Sequence, residues 1–186
     1  MSQCRCENIY LVGFSGSGKS TIGGMLARRL KLPFYDTDVM IEKEARRTIA
    51  GIFKEFGEPV FRSLESRMIR RFINGRYPQG IVALGGGAFQ NKVNRDDLLE
   101  SGLVIYLGCS SREIYRRLQG KHNRPLMNAR PKKGETPREA RIRKIRLLLA
   151  KRLTNYRKAH IHCSTSRKKA NVVVNELLLR IRSYYA

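Results

Sequence analysis

The chain has 186 residues, long enough to bury a sizeable core, and its 41% hydrophobic and 28% charged content excludes a disordered or fibrous class. No apolar run approaches the roughly 20 residues of a bilayer span, and Met1–Asn8 is polar with only Ile9–Val12 apolar behind it, so a cytoplasmic protein with no membrane partner is expected. Charge is the abnormal property: 38 Lys and Arg against 15 Asp and Glu leave a net +23, and Arg112 to Arg182 alone holds 22 basic and 4 acidic residues.

In chain order, Asn8–Val12 is a short apolar run that reads as a buried parallel strand. It ends at Gly13-Phe14-Ser15-Gly16-Ser17-Gly18-Lys19-Ser20, which matches G-x-x-x-x-G-K-[ST] with a strand before it and a helix after it (Ile22, Leu26, Leu30). Backbone N–H groups of such a glycine-rich turn converge on phosphate oxygens, and the helix N-terminus adds partial positive charge. Gly16, Ser17, Gly18, Lys19, Ser20 and Thr21 are therefore expected to hold a nucleoside triphosphate, with Lys19 on the β- and γ-phosphates and the Ser20 hydroxyl on Mg²⁺. No N-K-x-D sequence for guanine recognition accompanies the loop.

Pro33-Phe34-Tyr35 is a brief second strand that ends at Asp36-Thr37-Asp38. Two acids at the carboxyl end of a strand face the mouth where open α/β sheets bind ligands, although either could equally cap the helix that follows. A charged amphipathic segment spans Val39–Phe56, with Gly57 and Pro59 as breakers. Phe61, Leu64, Met68 and Phe72 then mark a helix carrying Arg62 and, three residues on, Glu65; this is a fork suited to a carboxylate or an ordinary solvated ion pair.

Ile81–Leu84 is a third strand, ending in Gly85-Gly86-Gly87, which lets a ligand approach the backbone or is only a flexible loop. Leu103–Leu107 is a fourth strand, followed by a short helix through Ile114 and Leu118. Lys121–Pro137, with its prolines and dense bases, reads as a mobile loop. Ile142, Ile145 and Leu149 give helical spacing through Leu153. A fifth strand near Ala159–Cys163 and a terminal helix with Val173, Leu177 and Ile181 complete an alternating α/β pattern. Cys4, Cys6, Cys109 and Cys163 lack zinc-module spacing, and reduced thiols are expected.

Taken jointly and in order, G-x-S-G-S-G-K-S-T, F-Y-D-T-D, E-P-V-F-R-S-L-E, A-L-G-G-G-A, R-P-L and R-L-T-N-Y-R-K-A resemble shikimate kinase across nearly the whole chain. The resemblance implies one P-loop kinase domain over residues 1–186. Its fold would be nucleoside monophosphate kinase-like: a short central parallel sheet of about five strands flanked by helices, a lid near 120–138 and a substrate region near 37–65. It implies transfer of the ATP γ-phosphate to the 3-hydroxyl of shikimate by a monomer, with ATP and Mg²⁺ required. Carried over by position, Asp36 holds a water of the Mg²⁺ shell and Asp38 takes the hydroxyl proton. Arg62 and Arg152 clamp the shikimate carboxylate, while Gly85, Gly86 and Gly87 face its ring. Arg124 reaches the phosphates from the lid, and Arg117 and Arg167 flank the adenine.

Two other readings compete. A related kinase of gluconate or another polyhydroxy acid would share the P-loop but lack the Asp-x-Asp, Phe-Arg and triple-glycine set. A nucleic-acid-binding protein would explain the basic half, yet no RNA-recognition, KH or zinc-finger signature is present and aromatics are sparse among the bases. No specific nucleic-acid partner is expected.

Overall fold

The computed structural model describes residues 7–119 and 129–186; Cys4, Cys6 and Arg124 lie outside the described residues. Strands β1 (Asn8–Val12), β2 (Phe34–Asp36), β3 (Ile81–Ala83), β4 (Gly102–Gly108) and β5 (Ile161–Ser164) form one all-parallel sheet in the order β2-β3-β1-β4-β5. β1 is central, with Leu11 opposite Ala83 on one side and Ile105 on the other. Tyr10, Leu11, Val82, Val104 and Ile105 are wholly buried, because a parallel sheet is covered on both faces.

One face carries helices α1 (Lys19–Leu30) and, at the end of the chain, Ala170–Tyr185, whose Ile22, Leu26, Val173 and Leu177 pack on Leu11 and Ile105. The other face is covered by α3 (Ile49–Ile73), preceded by α2 (Thr37–Ala45), and by α4 (Lys92–Ser101), through Met68, Phe72 and Leu98, with Phe89 added from the 3-10 turn Ala88–Gln90. Helices α5 (Ser111–Leu118) and α6 (Pro137–Tyr156) are joined to the glycine-rich loop by a small cluster of Phe14, Ile114 and Ile145; the terminal helix is α7.

Four local details differ from the sequence reading. The amphipathic segment after β2 is not one stretch: Arg46 takes a left-handed conformation at φ 50°, and Thr48 caps a new helix by accepting from Gly51 N at 3.1 Å. Glu42 Oε1 also accepts from Ile49 N at 2.8 Å, so both polar ends of the break are satisfied locally. The expected break at Gly57 is a kink (φ 80°) inside α3, with Pro59 just beyond it. Helix α4 was not foreseen, and α6 begins earlier than the apolar spacing suggested, at a capping box in which Thr136 and Glu139 satisfy each other's backbone amides.

Candidate active site

The carboxyl ends of β1, β2 and β3 open onto a cavity of about 840 Å³. Between β1 and α1 the chain turns through Gly18, whose φ of 101° only glycine adopts without strain and which caps α1 with no side chain of its own. The first-turn amides of α1 are thus left facing the cavity as an anion-binding terminus. Lys19 Nζ donates to the Gly13 carbonyl at 2.9 Å and the Phe14 carbonyl at 3.2 Å, folded back over the loop. Ser20 Oγ donates to Asp36 Oδ2 at 2.6 Å, while Asp36 Oδ1 accepts from Asp38 N at 3.1 Å. One carboxylate therefore meets both sequence readings: it caps α2 and it touches the glycine-rich loop's serine.

Thr37, the middle residue of the acidic triplet, is buried; its hydroxyl donates to Ala83 O at 3.3 Å and accepts from Gly85 N at 3.1 Å. It ties the acidic turn to the triple glycine. Gly85 and Gly87 are needed for room. A β-carbon at Gly85 would collide with Glu65 Oε1 and would sit 2.7 Å from Asp38 Oδ1, and one at Gly87 would lie 2.7 Å from Arg62 Cζ.

Arg62 donates from Nη1 to Glu65 Oε2 at 2.9 Å and from Nη2 to Glu58 Oε1 at 2.8 Å. The Glu65 side chain is only 2% exposed, and its second oxygen, Oε1, has no hydrogen-bond partner among the described residues. Burial pushes this carboxyl up to about 7 against the opposing pull of the Arg62 guanidinium, with the nearby charge of Asp38 adding to the rise. Arg152 Nη1 donates to Gly86 O at 3.0 Å and its guanidinium lies 5.2 Å over the Phe14 ring. The Tyr156 hydroxyl, one helical turn on, donates to the same carbonyl at 2.7 Å.

Arg117 is fastened behind the glycine-rich loop: it donates to Glu113 Oε1 at 2.8 Å, to Ser17 O at 3.2 Å and to Thr165 O at 2.7 Å. Hydrogen bonds from Arg116, then from Arg117, hold the Glu113 carboxyl down to about 2. Arg167 does not line the same cavity; it lies with Arg112, Glu113, Arg138 and Ser166 on a neighbouring one of about 620 Å³. Lys19, Ser20, Asp36, Asp38, Arg62, Gly86, Gly87, Arg117 and Arg152 all line the larger cavity, as do Gly16, Gly18 and Thr21.

Sequence reasoning missed Thr37, Thr165 and Tyr156. Thr165 is buried with its hydroxyl 2.9 Å from Ser17 O, and only knowledge of which loops meet could have singled it out. Tyr156 lies in the core, stacked 4.9 Å from Tyr106, and its hydroxyl bond to Gly86 O is what ties it to the site. Among the described residues no cluster of three or more His, Cys, Asp or Glu could hold a metal ion.

A parallel sheet whose central strand runs into a glycine-rich loop and helix, with the loop opposite an acid and two guanidinium groups, defines a P-loop kinase for a small anionic acceptor. The comparisons with known proteins agree. The family model for shikimate kinase matches residues 15–182. A shikimate kinase from Persephonella marina is 41% identical over 176 residues, covering 95% of this chain and 99% of the relative, and one from Rhodococcus jostii is 42% identical, covering 92% and 95%. Among solved structures, shikimate kinase from Acinetobacter baumannii in complex with shikimate superposes with a TM-score of 0.85 at 34% identity, over 96% of this chain and 94% of that one. The chain belongs to the shikimate kinase family and is an ATP-dependent enzyme of that kind.

Proposed function

We propose that the larger cavity is where ATP and shikimate meet, and that the reaction is transfer of the γ-phosphoryl group to the 3-hydroxyl, giving shikimate 3-phosphate and ADP. One observation carries the reading: the phosphate cradle, Asp38 and both guanidinium groups of Arg62 and Arg152 line a single cavity. In this reading the amides from Gly16 to Thr21 hold the triphosphate, and Lys19 swings from its loop carbonyls to the β- and γ-oxygens. Asp38 accepts the hydroxyl proton as the oxygen attacks phosphorus. Arg62 and Arg152 grip the ring carboxylate, and the backbone of Gly85, Gly86 and Gly87 allows the ring to approach closely. Arg117 borders the adenine from the larger cavity, and Arg167 does so from the neighbouring one. Arg124 lies outside the described residues, so its part on the phosphates rests on the Arg124-Pro125-Leu126 motif alone.

The Ser20 hydroxyl and Asp36 carboxylate, 2.6 Å apart, are hard oxygen donors of the type Mg²⁺ takes alongside phosphate oxygens. Ser20 would ligate the ion directly and Asp36 through water, and the bound ion would neutralise charge on the transferring phosphoryl group. We further propose one kinase domain spanning the chain, acting as a cytoplasmic monomer; in support of the single domain, all five described strands form one sheet. Among the described residues no helix is long and apolar enough to cross a membrane. A coupled ADP-release assay tests the acceptor: shikimate should drive turnover, with gluconate and no acceptor at background, and gluconate turnover of equal rate would overturn the assignment.

A further inference from the structure

Helix α6 has two faces. One turns inward, burying Ala140, Ile145 and Tyr156 and sending Arg152 to the triple glycine. The other is rich in base: from Arg141 to Lys158 the sequence holds eight Lys or Arg and no acid, of which Arg152 turns inward and six besides Arg143 remain on the outward side and its edges, around exposed Leu147, Ala150 and Thr154. Lys144 and Lys151 are seven residues apart, nearly two helical turns, so they sit along one edge of α6 about 10 Å apart at about 1.5 Å rise per residue, and Lys158 follows in the turn just past the helix end. Arg146 and Arg157, both exposed, lie toward the other edge of the outward side, with exposed Leu147, Ala150 and Thr154 between the two edges. Among the described residues none of these five side chains forms an ion pair; Arg143, on the same helix, is bound to Glu135. Phosphoryl transfer in the larger cavity uses none of them.

We propose that this outer face of α6 is a docking surface for the phosphodiester backbone of nucleic acid, read without regard to sequence. The chemistry of the face selects this partner over others. Cations spread along the α6 axis from Lys144 to Lys158, roughly 20 Å, run beside about six phosphates of one strand at 3.4 Å per residue along a duplex. No aromatic side chain lies between the cations on this face, so bases have no platform to stack on and only the backbone is recognised. A membrane-surface helix needs an exposed apolar face, and here the apolar side is buried in the core, leaving Leu147 as the exposed large hydrophobic residue of α6. The +18 of the Arg112–Arg182 half would raise the encounter rate with any long polyanion.

The test measures fluorescence anisotropy of a labelled random 20-base-pair DNA duplex and a 20-nucleotide RNA, with the cavity filled by ADP and shikimate. Titrations run from 50 to 300 mM KCl on the full chain. The wild type should bind the duplex with a Kd of order 10⁻⁵ M at 150 mM salt, log affinity falling linearly with log salt. The triple variant Lys144→Gln, Lys151→Gln, Lys158→Gln should lose about tenfold and flatten the salt slope by two to three, at about 0.9 per phosphate contact. Its shikimate kinase rate should stay within twofold. A double variant of Lys151→Gln and Lys158→Gln, both exposed, guards against misfolding and should lose about fivefold. A control removing three exposed cations elsewhere, Arg29→Gln, Arg70→Gln and Arg76→Gln, should change affinity less than twofold. No measurable binding at 150 mM salt, or an equal loss in the control, would overturn the proposal. So would tighter binding to vesicles containing one-third phosphatidylserine than to the duplex.

Discussion

Glu65 is the residue whose chemistry is most out of the ordinary. Its carboxyl is buried, held at one oxygen by Arg62, and pushed up to about 7 by burial. A carboxyl that binds its proton more tightly in the folded state favours folding while protonated. That contribution is full below the usual carboxylate range near 4.5 and is lost as pH rises through about 7. The expected outcome is that wild type loses up to about 3 kcal/mol between pH 5 and pH 8 relative to Glu65→Gln, the equivalent of about 2.5 pH units at 1.36 kcal/mol each. Denaturant melts at the two pH values would check it, and parallel slopes in both proteins would sink it. Asp38 supplies a second prediction at this scale. Asp38→Asn should cut kcat at least about a thousandfold, within the range that acid–base positioning commands, while ATP affinity moves less than twofold. Undiminished turnover would remove Asp38 from the chemistry.

At the scale of elements, α6 reaches from its capping box at Thr136 to the Gly86 carbonyl. Because Tyr156 and Arg152 both donate to that oxygen, the end of α6 fixes the loop after β3. Tyr156→Phe should lower stability by about 1 kcal/mol, the net worth of one buried hydrogen bond, and raise the KM for shikimate more than that for ATP. Equal effects on both would count against a role in placing the glycines. Most elements were legible because buried parallel strands are short apolar runs and α1, α3 and α7 repeat apolar residues at helical spacing. Helix α4 was not, since Lys92–Ser101 is polar apart from Val93, Leu98 and Leu99, and only the Asn91 cap marks it. The early start of α6 was written in Thr136-Pro137-Arg138-Glu139, a capping signature with proline at the first turn that apolar periodicity cannot see. The split between α2 and α3 depends on Arg46 adopting a left-handed turn, which no residue type there announces.

For the molecule as a whole, the glycine-rich loop, the acidic pair and the triple glycine were legible because each follows the carboxyl end of a strand, where the topology collects them, while Arg62, Arg117 and Arg152 reach the same cavity from helices α3, α5 and α6. Thr165 and Thr37 were not, because their value lies in which loops they join. Net charge is a property of the whole surface, and it bears on handling as well as partners. With pI near 10.6, the protein should elute from a cation exchanger well above 0.3 M salt at neutral pH, and elution below about 0.1 M would mean that the charges are masked.

The register of the central strand has a consequence for how the protein is made. Asn8 pairs with Gly102 and Val12 with Tyr106, so the strand that presents the nucleotide loop waits for nearly a hundred residues before one of its two neighbours is synthesised. Pairing over such a separation is slow, because a long loop must close before any contact rewards it. A nascent chain released after Ser101 should therefore be protease-sensitive and unable to retain ATP, whereas one extended past β5 should resist digestion. The enzyme's first motif to leave the ribosome would be among the last to become functional.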